Sequence, residues 1–219
     1  MINYQTDLYD ENSHLNPSGA RKVTDYLGHY LMEQYDLEDQ RDNEAYSEWY
    51  NDYIEYTALK NNNLTSRNDI VEYLMLLAGD DIQITMDIRD KDIFKNAWIL
   101  SLLGNLGTDT SELGDDTDFI IIRNRGKEVV VLDDFRDDGQ IQNTRFGDAA
   151  IYYYDDVYNE DEKGYYGLYI DGAEKLVGNI NDDTSIQINV YRDFEMIDSV
   201  KFVCDIDLET LKVIATNRE

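Results

Sequence analysis

The spacing of apolar residues changes period along this chain, and that change limits the fold more than any single motif does. Val23, Leu27, Tyr30, Leu31 and Tyr35 recur at helical spacing, and Tyr46, Trp49, Tyr50, Tyr53, Ile54 and Tyr56 do so again over residues 44–60. Ile82, Ile84, Met86 and Ile88 alternate instead, which is the period of a half-buried strand. From Asp118 onward strand patterns dominate: Phe119 to Ile122, Val129 to Leu132, Ala149 to Tyr154, Tyr165 to Ile170, Ser185 to Tyr191 and Ser199 to Val203. The fold class expected is α+β, with an N-terminal helical segment over about residues 1–60. A domain over about residues 64–219 follows, a mixed or antiparallel sheet flanked by helices.

Local signals mark the ends of these elements. Asn16 before Pro17 predicts a helix start, because the amide can cap free N–H groups and proline costs nothing at the first helical position. One face of that helix is expected to be buried. The aromatic stripe of the second helix is read as a packing face, with sugar stacking as its other use. The polar tract Asn61 to Asn63 reads as the internal boundary, and Thr65-Ser66 as a cap for a third helix carrying Ile70, Val71, Leu74 and Leu77. A fourth helix is predicted to turn Phe94, Ala97, Trp98, Leu102 and Leu106 one way and to stop at Gly107. Arg123 to Gly126 predicts a hairpin turn and Asp171-Gly172 another; Asp133 to Asp148 reads as a long charged loop, and Leu211 to Ala215 as a last strand or a disordered tail.

Charge narrows the partners. The 19 Lys and Arg stand against 47 Asp and Glu, a net charge of -28, which disfavours attraction to nucleic-acid phosphates or to an anionic membrane surface. A hydrophobic content of 42% with 12% aromatics argues for a folded core rather than a solvated coil. The start lacks the basic and apolar regions of a signal peptide, and no apolar run approaches bilayer length, so no membrane span is expected. Cys204 excludes an internal disulfide and reads as a small core residue. The acidic pairs Asp80-Asp81, Asp115-Asp116, Asp133-Asp134, Asp137-Asp138, Asp155-Asp156 and Asp182-Asp183 lack the ligand spacing of an EF-hand, so solvated turns are the first reading and calcium the other. No zinc pattern and no Gly-rich phosphate loop occurs, and no cofactor is expected.

The candidate chemistry lies just before the first helix. Asp10, or its neighbour Glu11, precedes His14 closely enough to fix its tautomer and support the imidazolium formed when the ring takes a proton from a serine. The stretch from Asp10 to Gly28, with His14-Leu15-Asn16 and Ser18-Gly19-Ala20, resembles the final block of the SGNH (GDSL-type) hydrolases, and the resemblance extends over about the first 55 residues. It implies Asp10 and His14 as two members of a Ser-His-Asp triad acting on esters and polysaccharides. No Gly-Asp-Ser occurs in the chain, and the oxyanion-hole blocks are missing too, so this chain alone is not expected to run that reaction. His14 as a plain anchor of the loop is the other reading.

A second resemblance covers the rest. Asp81 to Gly107, ending Ser101-Leu-Leu-Gly-Asn-Leu-Gly107, is similar to a unit of the interleukin-like EMT inducer (PANDER-like) domains, as are Ile170-Asp-Gly172, Ile186 to Tyr191 and Met196 to Phe202 in a different order. It implies a fold of that kind and carries no binding residue, since Asp182-Asp183-Thr184 stands where the family has Arg-Gly. The function expected is therefore a non-enzymatic accessory or carbohydrate-binding module associated with surface polysaccharide modification, with a glycan or acetylated polysaccharide as partner. Two alternatives stay open: the C-terminal part of an SGNH esterase or acetyltransferase, extracytoplasmic if exported within a longer protein, and an acidic protein-interaction module.

Overall fold

The computed structural model describes residues 2–4, 6–9, 14–38, 40, 43–80, 82–89, 91–114, 117–123, 128–133, 141–144, 147–154, 165–179, 185–192, 195–203, 205–207 and 212–215. The chain is α+β. Helices α1 (Pro17–Tyr35), α2 (Ser47–Thr65), α3 (Ile70–Ala78) and α4 (Ala97–Leu106) precede all strands except β1 (Gln83–Ile88). The strands that follow are β2 (Thr117–Arg123), β3 (Glu128–Asp133), β4 (Ile141–Thr144), β5 (Gly147–Tyr154), β6 (Tyr165–Ile170), β7 (Ala173–Asn179), β8 (Ser185–Arg192), β9 (Glu195–Val203), β10 (Asp205–Asp207) and β11 (Lys212–Ala215). All described pairings are antiparallel, in a five-stranded sheet ordered β3-β2-β1-β8-β9, a four-stranded meander β4-β5-β6-β7 and the pair β10-β11.

The core forms where α3 and α4 cover one face of the larger sheet. Ile84, Met86 and Ile88 lie beside Val190, Ile188 and Ile186 of β8, and Val200 and Phe202 of β9 extend the same face. Ile70, Tyr73, Leu74 and Leu77 meet it from α3, and Ile99, Leu102, Leu103 and Leu106 from α4. The Tyr73 ring stands edge-on to Phe202 at 5.2 Å, and its hydroxyl donates to Asp198 at 2.7 Å, so a fully buried phenol keeps a partner for its polar end.

Several expectations are corrected here. Strand β1 is buried on both faces, because Thr85 and Asp87 are as buried as Ile84 and Met86. The second face lies against β7, whose Lys175 carbonyl accepts from Asn189 Nδ2 at 2.5 Å, from Thr85 Oγ1 at 3.5 Å and from the Tyr191 hydroxyl. Burial pushes the Tyr191 phenol up from its ordinary value. Asn61 to Asn63 is helical, since α2 runs through it to Thr65; Asn61 Oδ1 accepts from Arg192 and Asn63 Oδ1 from Arg67, so both amides have partners off the helix. The cap of α3 is Asp69, which accepts from Glu72 N at 3.0 Å, while the Thr65 and Ser66 hydroxyls donate back to Asn62 and Asn63. Of the face expected for α4, Leu102 and Leu106 are buried with Ile99 and Leu103, while Ala97 and Trp98 are exposed and Phe94 lies in the short helical turn before the Asn96 cap.

The charged stretch read as a loop contains β4, and β11 forms at the last strand candidate. The hairpin across Arg123 to Gly126 pairs β2 with β3. Asp171 and Gly172 both have positive φ, 52° and 74°, as a two-residue hairpin turn between β6 and β7 requires. Cys204 lies outside the described residues.

Helix α1 docks through its N-terminal end, residues 17–22. Pro17 presses on Gly79 at the end of α3, where an added Cβ would stand 2.5 Å from Pro17 Cβ and 2.8 Å from its carbonyl carbon. Gly79→Ala therefore pushes the two helix ends apart and costs about 1–3 kcal/mol, read as a lower urea midpoint at unchanged slope. A wild-type midpoint in Gly79→Ala would mean that this contact holds nothing.

Candidate functional site

The segment before α1 is a hook closed at its base. Leu8 and Leu15 form an isolated antiparallel bridge, Tyr9 N donates to the His14 carbonyl at 2.9 Å, and Asn16 N donates to the Asp7 carbonyl at 2.9 Å. Asn16 then caps α1 as the sequence predicts, its Oδ1 accepting from Gly19 N at 3.1 Å while its Nδ2 donates to the Thr6 carbonyl at 2.7 Å. His14 is thus held by its backbone at the mouth of the hook with an exposed side chain. Asp10 and Glu11 lie outside the described residues, so the sequence pair is placed only at its histidine end.

Behind the hook sits a carboxylate that sequence reasoning missed. Asp7 is fully buried and accepts from Asn3 N at 2.6 Å, Ser18 Oγ at 2.9 Å, Lys22 Nζ at 2.8 and 3.0 Å, and Asn105 Nδ2 at 3.3 Å. Burial works to raise its carboxyl, yet the Asn3 N–H, Lys22 and Ser18 together hold it below the ordinary value of 3.8. Lys22 also donates to Asn105 Oδ1 at 2.8 Å, so this group ties the chain start, α1 and α4 into one clamp. With its oxygens so engaged, Asp7 is a structural carboxylate. The available signal was a lysine and a serine four residues apart on α1, on the side away from the apolar stripe.

Between the first half of α1, the second half of α2 and the end of α3 lies an open cleft of about 900 Å³. Tyr9, Leu15, Tyr56, Leu59 and Leu76 supply its apolar walls. Its polar end is Asp80, which accepts from Lys60 Nζ at 2.6 Å and Arg192 Nη2 at 2.5 Å. Burial opposes the charge on Asp80, but Arg192 and Lys60 outweigh it and lower the carboxyl below 3.8. These two cations occupy Asp80, so it reads as a paired carboxylate rather than a solvated turn. The other acidic pairs lie wholly or partly outside the described residues, and among those described no group of three His, Cys, Asp or Glu could hold a metal.

Beyond the cleft both long helices stand clear of the protein. Every residue from Val23 to Tyr35 except Leu31 is exposed, as is every residue from Glu44 to Tyr56. The buried face expected of α1 and the packing face expected of α2 are therefore not covered. Trp49, Tyr50, Tyr53 and Tyr56 are exposed by 64%, 66%, 55% and 59%, leaving on the order of 500 Å² of ring surface in one row. The cause is length: α3, with 9 residues, offers a floor of about 14 Å to two helices of 19 residues and about 28 Å each.

Compared with protein-family models, with curated proteins and with solved structures, the chain matches none. Among the described residues no helix is long and apolar enough to cross a membrane.

Asp7 makes a pH test of the clamp. Its folded carboxyl titrates below its unfolded value, so its contribution is complete above about pH 4 and is lost as pH falls through the lower folded value. Asp7→Asn is expected to lose about 2–4 kcal/mol at pH 7, less than a wholly buried pair because Lys22 retains some water contact. The gap to wild type should close on acidification, and a pH-independent gap in urea titrations would assign the loss to packing instead.

Proposed function

We propose that this chain is a non-enzymatic accessory module that binds glycan and serves surface polysaccharide modification. The observation that carries this reading is the exposed ring row of α2. Trp49, Tyr50 and Tyr53 are exposed on neighbouring turns of α2, Trp49 and Tyr53 about 6 Å apart along the helix, and the Tyr46 ring stands tilted against Trp49 at 4.6 Å. Flat, exposed rings suit stacking on sugar faces, and Glu48 beside them offers an acceptor to sugar hydroxyls. The link to polysaccharide modification rests on the SGNH resemblance of the first 55 residues.

A second reading has its own observation. His14 is exposed beside the Leu8–Leu15 bridge that leads straight into α1, and the apolar stripe of α1 is uncovered. An exposed imidazole at that position of the SGNH-like block supports the chain being the C-terminal part of an SGNH esterase or acetyltransferase. A serine supplied from outside this sequence would then pass its proton to His14 as its Oγ attacks the ester carbonyl.

Two measurements separate these readings. On an array of plain and acetylated bacterial polysaccharides, the wild type should be retained and the Trp49→Ala, Tyr53→Ala double variant should lose at least about tenfold, with its thermal midpoint nearly unchanged because both residues are exposed. A blank array sinks the glycan reading. Acetyl-ester hydrolysis by the protein isolated from its source cells should disappear in His14→Ala if the esterase reading holds; equal rates reject it.

A further inference from the structure

The cleft at the base of α1 and α2 has a shape and a charge of its own. At about 900 Å³ it matches the volume of roughly two turns of an α-helix about 10 Å across. Its walls are apolar: Leu15 from the hook, Tyr56 and Leu59 from α2, Leu76 from α3. Tyr56 and Leu59 are exposed by 59% and 64%, too much apolar surface for a finished helix interface. A peptide helix presents anchors at i, i+3, i+4 and i+7, and two turns deliver that set once.

The charge beside the cleft identifies the partner. At 100° per residue, Tyr56, Leu59, Lys60 and Asn63 share the cleft side of α2, and the exposed Asp52 and Glu55 lie on the same side within about one turn before Tyr56, at the open end of the cleft. From Ser47 to Leu59 this helix holds no cation. Of the cations at the cleft, Lys60 is engaged by Asp80 and Arg21 lies 3.5 Å from Asp25. The chain as a whole carries -28, so a second acidic copy would be repelled where a basic segment would be drawn in.

We infer that the α1–α2–α3 cleft seats about two turns of a basic amphipathic helix from a partner protein, with its apolar side on Tyr56, Leu59 and Leu76 and its Lys or Arg side chains on Asp52 and Glu55. This site adjoins the ring row proposed for glycan, whose Trp49 and Tyr53 lie nearer the start of α2 and do not line the cleft. An accessory module would thereby hold a polysaccharide and a protein side by side.

The probes are a fourteen-residue Leu/Lys peptide of helical period, a scrambled peptide of the same composition and a Leu/Glu peptide of the same pattern, titrated by fluorescence anisotropy against the full chain. The Leu/Lys peptide should bind with a Kd on the order of 10 μM and weaken with added salt. Tyr56→Ser, Leu59→Ser should lower its affinity at least about tenfold, and Asp52→Asn, Glu55→Gln should flatten the salt dependence. Trp49→Ala, Tyr53→Ala should remove glycan retention while leaving peptide binding intact, so failure of the glycan reading shows separately. Equal binding of the scrambled peptide, binding of the Leu/Glu peptide, an unaffected Tyr56→Ser, Leu59→Ser variant, or no peptide binding at all each overturns the inference.

Discussion

Both long helices rest on α3, and α3 is half as long as either. Only the first two turns of α1 and the last turns of α2 find a surface, at Pro17 on Gly79, at Lys22 on Asp7 and Asn105, and at Leu64 with Asn61 on Arg192. Everything beyond those anchors lacks the tertiary packing that supplies most of a helix's stability in a protein. A free helical stretch of about thirteen residues is marginal in water, so these overhangs open at low free energy even while the sheet and α3 stay closed. The exposed aromatic row and the cleft are consequences of the same shortfall in floor.

The anchors are correspondingly strong. Asp7 and Asp80 both sit among cations and N–H donors that overcome the cost of burying a carboxylate, and each joins segments far apart in sequence. Asp7 holds the hook, α1 and α4 together, while Asp80 holds α2 to β8 through Lys60 and Arg192. A chain with 47 acidic residues repels itself, and it places its few available cations where two helices must be tied down.

Local chemistry was legible in the sequence and coverage was not. Asn16 with Pro17, Gly107 and Asp171-Gly172 act within a few residues of themselves, and each ends or turns an element where the sequence places it. Periodicity correctly grouped Val23, Leu27 and Tyr30 on one face, but a period states which residues lie together and not what covers them. The second buried face of β1 was invisible for the converse reason: Thr85 and Asp87 are polar, and Thr85 meets a backbone carbonyl ninety residues away while Asp87 pairs with Arg89. Asp7 was hidden likewise, since its identity as a clamp depends on Asn105 of α4 as much as on neighbouring Lys22.

Marginal helices suit a binding surface, because a ligand that orders them is linked to their folding. Ordering draws on the ligand's interaction energy, so affinity per unit of contact is moderate, and release is correspondingly easy. Charge sharpens this coupling on α2, where Glu48, Asp52 and Glu55 sit at i, i+4 and i+7 and repel one another along a single row. A basic partner relieves that repulsion at the moment it buries the neighbouring Tyr56 and Leu59, so neutralisation and helix stabilisation arrive together. A neutral sugar relieves none of it, and must be held by ring stacking and hydroxyl hydrogen bonds alone. If α2 takes both proposed partners, salt would govern the first and the exposed area of Trp49, Tyr50 and Tyr53 the second.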